Sequence, residues 1–108
     1  MTPEELKALV KRGEGRGLEF KAARNRFDFD ELVRYVVAIA NEGGGHILLG
    51  VENDGTVAGT KAFPDSGRTE AGIFERLGRR ARLDVVQADG QRVLVVAVPS
   101  RLPGEAWS

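Results

Sequence analysis

Apolar positions recur along this chain at two periods, helical and alternating, and the switches between them lay out its elements. Leu6, Leu9 and Val10 form a short helical stripe behind Thr2-Pro3-Glu4-Glu5. There Thr2 as N-cap, Pro3 as first helical residue and Glu5 as reciprocal partner make a capping box, and Gly13 supplies the stop. Gly13, Gly15 and Gly17 leave the chain free to bend or bulge. Leu18-Glu19-Phe20-Lys21-Ala22 then alternates and predicts a strand, with Leu18, Phe20 and Ala22 on the core face and Glu19 and Lys21 opposite. Residues 29–41 predict the clearest helix: Asp28 or Asp30 can cap it, and Leu32, Val33, Val36, Val37 and Ala40 keep helical spacing before Gly43-Gly44-Gly45.

The run Ile47-Leu48-Leu49-Gly50-Val51 is apolar at every position, the pattern of a central strand buried on both faces. Asn53-Asp54-Gly55 signals a hairpin into a short partner near Thr56–Ala58, and residues 61–68 read as a polar loop. A third helix is predicted over 69–82, capped by Thr69, with Ile73, Phe74, Leu77 and Ala81 inward; Gly72 and Gly78 weaken it. Leu83–Ala88 turns at Asp89-Gly90 into Val93–Val98 as a second hairpin, and Pro99 and Pro103 break the pattern, leaving 99–108 as a loose tail. The order α-β-α-β-β-α-β-β predicts one small α+β domain over 1–108, with about three helices and a mixed or antiparallel sheet.

Composition narrows the chemistry. The 108 residues contain sixteen basic and sixteen acidic side chains, so net charge gives no reason to expect generic polyanion binding. Twelve of the sixteen cations are Arg, the better fork for phosphate. The absence of Cys excludes disulfides, thiolate metal sites and cysteine nucleophiles, and a single His excludes a multi-His metal centre. Apolar runs are too short to span a membrane and the N-terminus is acidic, which predicts a cytoplasmic protein with no membrane partner. Residues 43–50 are glycine-rich, but they lead from a helix into a strand, the reverse of a phosphate loop, so no nucleotide cofactor is expected. His46 reads as a polar residue at a strand entrance, and no serine sits in a nucleophile elbow.

Two constellations remain. Glu14, Glu19 and Glu52 would suit Mg²⁺ or Mn²⁺ if they converged, and such an ion can activate water for phosphodiester cleavage. Lys21, on the face of Glu19, would stabilise developing phosphate charge. Convergence requires the Gly15/Gly17 region to turn, and the residues alone favour a solvated Glu19–Lys21 ion pair. The second constellation is basic: Arg76, Arg79 and Arg80 at i, i+3 and i+4 on the third helix, and Lys21, Arg24 and Arg26 in the first quarter. Brought together they would follow a phosphate backbone; the competing reading is an ordinary charged surface. Phe27, Phe29 and Tyr35 are the nearest aromatic residues, too sparse to predict base stacking.

Glu14…Leu18-Glu19-Phe20-Lys21, Val37-Ala38-Ile39-Ala40-Asn41-Glu42-Gly43-Gly44-Gly45 and Ile47-Leu48-Leu49-Gly50-Val51-Glu52-Asn53-Asp54-Gly55…Gly59 together resemble the Schlafen-type AlbA-like domain. The likeness covers residues 14–59 well and the remainder in pattern. It implies a nucleic-acid-binding domain, DNA or RNA, with a role in transcription regulation or defence. It also implies an alternative: a metal-dependent endoribonuclease acting on tRNA or rRNA through three acids, which fall on Glu14, Glu19 and Glu52, with Lys21 after the second. Glu52 stands where the enzymes of the family carry Asp. A dimerisation or regulatory module of a larger protein is the third class, and a single lobe is expected to form a homodimer to enclose an RNA helix.

Overall fold

The computed structural model describes residues 1–101; the part of the predicted loose tail from 102 onward lies outside the described residues. Seven elements follow the order α1 (Pro3–Arg12), β1 (Leu18–Lys21), α2 (Phe29–Asn41), β2 (Gly45–Leu49), α3 (Ser66–Leu77), β3 (Arg82–Ala88) and β4 (Gln91–Val98). The sheet order is β1-β2-β4-β3, with β1 and β2 parallel and the other two neighbouring pairs antiparallel. The domain is α+β with a mixed sheet.

Alternation along β2 and β4 divides the core in two. Ile47, Leu49, Leu94, Val96 and Val98 meet Leu32, Val36, Ile39 and Ala40 of α2 and Ile73 of α3. Leu48, Val93 and Val95 meet Leu6 of α1, with Leu18, Phe20 and Val86. Interior strands with helices on both faces need apolar side chains at every position, which is why 47–49 and 93–96 show no polar alternation.

Helix boundaries follow from their caps. Thr2 accepts from the Glu5 N–H at 3.1 Å while Glu5 accepts from the Thr2 N–H at 2.9 Å, the reciprocal box. Of the two candidate caps for α2, Asp28 is the one used, accepting from the Glu31 N–H at 3.0 Å. At the other end the Gly43 and Gly44 N–H groups return to the Ala40 and Ile39 carbonyls, the paired bonds of a Schellman stop. The third helix corrects the sequence reading: Asp65, not Thr69, is the cap, accepting from the Arg68 N–H at 3.0 Å, so the helix starts within the predicted loop. It stops at Gly78 in the left-handed region (φ 67°), leaving Arg79, Arg80 and Ala81 beyond it, and Phe74 is exposed rather than inward. The predicted hairpin after β2 reduces to a turn at 52–55 and a single bridge between Val51 and Val57. Ala22 lies beyond β1 and is exposed.

The glycines at 15 and 17 turn the chain, as the acid constellation required. Gly15 and Leu18 exchange backbone hydrogen bonds at 3.1 Å, with Gly17 at φ 76°. Gly45 then crosses so close to Gly17 that a Cβ on Gly45 would lie 1.9 Å from the Gly17 carbonyl oxygen. Glycine at both positions is what allows β1 and β2 to start side by side.

Candidate nucleic-acid interface

Parallel neighbours end on the same side of a sheet, and their departing loops form a crevice there. β1 and β2 end together at the pair Lys21 and Leu49, and the loops 22–28 and 50–65 leave from that end. These loops are fastened to each other. The Thr60 hydroxyl donates to the Ala23 carbonyl, and the Lys61 N–H donates to the Arg24 carbonyl at 2.8 Å. Arg92 of β4 holds the second loop from beneath, donating to the carbonyls of Thr60, Ala62 and Phe63 at 3.1, 2.8 and 2.8 Å. Ala23 and Phe63, one in each loop, hold left-handed φ values of 43° and 50° that cost side-chain-bearing residues energy. Between the loops lies a cleft of about 700 Å³ lined by Arg24, Asn25, Thr60, Lys61, Gln91 and Arg92 among others, with no carboxylate in its wall.

Lys21 and Glu52 share the adjoining hollow, of about 530 Å³, with Asp54. The Lys21 ammonium sits 3.4 Å from Glu19 and 4.5 Å from the centre of the Tyr35 ring. Interaction with Tyr35 and the Glu19 charge outweigh partial burial and hold its pKa above the ordinary lysine value. The ion pair favoured by the residues alone is therefore present, with an aromatic floor added. Glu52 pairs with Arg24. The Asp54 carboxyl accepts from the Thr56 N–H at 2.9 Å, which draws its pKa down. Glu14 serves the sheet instead. Its carboxylate accepts from the outward-facing Phe20 N–H at 3.1 Å and, with the Gly15 carbonyl on Leu18, satisfies the free edge of β1.

The turn at 15–18 thus brings Glu14 alongside the strand of Glu19, while Glu19 and Glu52 line different hollows. Among the described residues no group of three or more His, Cys, Asp or Glu is placed to hold a metal ion. With Glu14 bonded to an N–H, Glu19 to Lys21 and Glu52 to Arg24, the donor set as placed does not fit Mg²⁺ or Mn²⁺.

The basic constellation divides. Lys21, Arg24 and Arg26 remain near one another at the end of β1, and Arg26 is exposed without an ion-pair partner among the described residues. Arg76 reaches Asp30 at 2.9 Å and so joins the start of α2, the helix that the 22–28 loop enters. Arg79 and Arg80 do not share its helix face, because the helix has ended; Arg80 lies 5.6 Å over the Phe74 ring and leads to β3, at the opposite edge of the sheet. His46 is half-buried in β2, and that burial, with the Arg12 charge, lowers its pKa, as suits a structural residue.

Lys61, Arg92, Asp54 and Tyr35 are site residues the sequence pattern missed. Lys61 falls in the polar loop predicted over 61–68, and Arg92 precedes the strand predicted from Val93. Long-range bonds make them neighbours of Arg24: the Lys61 N–H to the Arg24 carbonyl, and Arg92 to the loop of Thr60.

Among the described residues no helix is long and apolar enough to cross a membrane. A family model described as Schlafen, AlbA_2 matches residues 14–105. A protein from Corynebacterium diphtheriae has a similar structure, at a TM-score of 0.69 and 22% identity over 96% of this chain, which spans 23% of that protein. The N-terminal domain of a Nitrosomonas europaea protein described as "ATP-dependent DNA Helicase RecG-related" is also similar, at a TM-score of 0.57 and 21% identity over 99% of this chain and 87% of that one. No curated protein matches the chain. At these identities the two structures establish the fold.

Proposed function

Because this chain belongs to the Schlafen, AlbA_2 family, we propose that it is a nucleic-acid-binding domain whose phosphate-contacting surface lies at the carboxyl end of β1. The observation that supports this most is the grouping of Lys21, Arg24 and Arg26 there, with Arg76 drawn alongside by Asp30. Arg24 and Arg76 are ion-paired, which does not remove them from service. Their side chains are 64% and 52% exposed, and exposed pairs contribute at most about 1 kcal/mol and weaken with salt. A row of phosphates can displace such carboxylates, and the counterions it releases drive the exchange.

Arg79 and Arg80, toward the β3 edge, are secondary contacts in this reading. Charge reversal therefore separates the two groups. Arg24→Glu with Arg26→Glu should weaken binding to all sequences by about tenfold or more and flatten the slope of log affinity against log salt. Arg79→Glu with Arg80→Glu should do markedly less. Equal losses from both pairs would place the surface elsewhere.

The nuclease reading uses the same end of the sheet. Lys21 and Glu52 line one hollow there, the one feature that favours it. Against it, all three carboxylates are engaged with other partners. Mn²⁺-dependent cleavage of structured RNA that Glu19→Gln abolishes while sparing binding would establish that activity.

A further inference from the structure

Resting on the nucleic-acid reading, we propose that the cleft between loops 22–25 and 58–64 seats the terminal phosphomonoester of a nucleic-acid strand. Charge is the first argument. Lys61 and Arg92 have no carboxylate partner among the described residues, and the Glu52 partner of Arg24 lies outside the cleft wall. Arg92 is half-buried and bonded to three carbonyl oxygens, which occupy three of its five N–H donors and leave its charge uncompensated. An uncompensated, partly desolvated cation is costly unless an anion completes it.

Valence and shape favour a strand end over an internal phosphate. Two cations without a carboxylate partner among the described residues, Lys61 and Arg92, face one hollow beside the ion-paired Arg24. An internal diester brings a single negative charge, whereas a phosphomonoester brings close to two at neutral pH and three accepting oxygens. Internal phosphates ride on the convex outside of a strand and suit exposed cations such as Arg24 and Arg26. The hollow of about 700 Å³ between the loops has room for a terminal phosphate and its nucleotide. Asn25 and Gln91 in the wall offer carboxamides to the polar edges of the last nucleotide.

The cleft is also fixed in advance. Thr60, Lys61 and Arg92 bond the two loops to each other and to β4, and the strained Ala23 and Phe63 sit where that bonding holds them. A wall held this way binds without first ordering itself.

Fluorescence anisotropy at fixed salt tests this on the full chain. One short single-stranded oligonucleotide is compared with a 5′-phosphate, with a 3′-phosphate and with hydroxyls at both ends. One phosphorylated form should bind about tenfold more tightly than the hydroxyl form; which one identifies the end that is seated. Lys61→Ala should bring that ratio close to one, and Lys61→Arg should keep most of it. Equal affinity for all three strands overturns the strand-end assignment and leaves the nucleic-acid reading standing. A preference that survives both Lys61→Ala and Lys61→Glu overturns it too, because the phosphate then sits elsewhere. No binding of any strand removes the nucleic-acid reading, and this inference with it.

Discussion

Single residues in this domain hold positions that their neighbours in sequence do not reveal. Glu14 looks like one more surface acid, yet it caps the free edge of β1 through the Phe20 N–H. Gly45 and Gly78 both have positive φ, yet only Gly45 faces backbone at close range, with the Gly17 carbonyl oxygen 1.9 Å from where a Cβ would stand. Nothing lies within 4 Å of the equivalent point at Gly78. Gly45→Ala is therefore expected to cost at least about 3 kcal/mol or prevent folding, because backbone on both sides must shift. Gly78→Ala should cost about 1 kcal/mol, the ordinary penalty of a left-handed alanine. Urea denaturation of the two variants measures both, and similar losses would contradict the close approach of β1 and β2.

Elements were legible from sequence wherever one local signal governed them. The capping box of α1, the stripe of α2 with its glycine stop, and the Asp89-Gly90 turn, with φ of 51° and 76°, all appear as read. Helix α3 was not. Thr69 and Asp65 are both good caps, and the apolar stripe of Ile73 and Leu77 continues through Ala81 at helical spacing, so pattern alone could not place either end. The structure decides it by packing: Ala81 is buried, but from the segment leading into β3. Asp65→Ala should thus lower stability by about 1 kcal/mol, and Thr69→Ala by clearly less. Thermal or urea melts compare them directly; the reverse ranking would restore the later helix start. The same displacement undid the i, i+3, i+4 grouping of Arg76, Arg79 and Arg80, which depended on that helix running to 82.

At the scale of the whole molecule, an evenly charged chain acquires a polar end by topology rather than by composition. The parallel pairing of β1 and β2 sends two loops out from one side of the sheet, and bonds from Thr60, Lys61 and Arg92 join them. Sequence could propose Lys21, Arg24 and Arg26 as phosphate contacts, but Lys61 and Arg92 lie far along the chain and enter through long-range hydrogen bonds of backbone and side chain. The three candidate acids illustrate the opposite limit: residue type and the family resemblance suggested their convergence, spacing alone favoured the Glu19–Lys21 ion pair, and Phe20, Lys21 and Arg24 each claim one carboxylate. In the proposed function, nucleic acid meets this domain at the carboxyl ends of β1 and β2. Amide chemical-shift mapping during titration with single-stranded and structured RNA and with DNA tests it most directly. The largest shifts are expected over residues 21–26 and 58–63. Shifts confined to the β3 edge around Arg79–Arg82, or none with any of these nucleic acids, would contradict it.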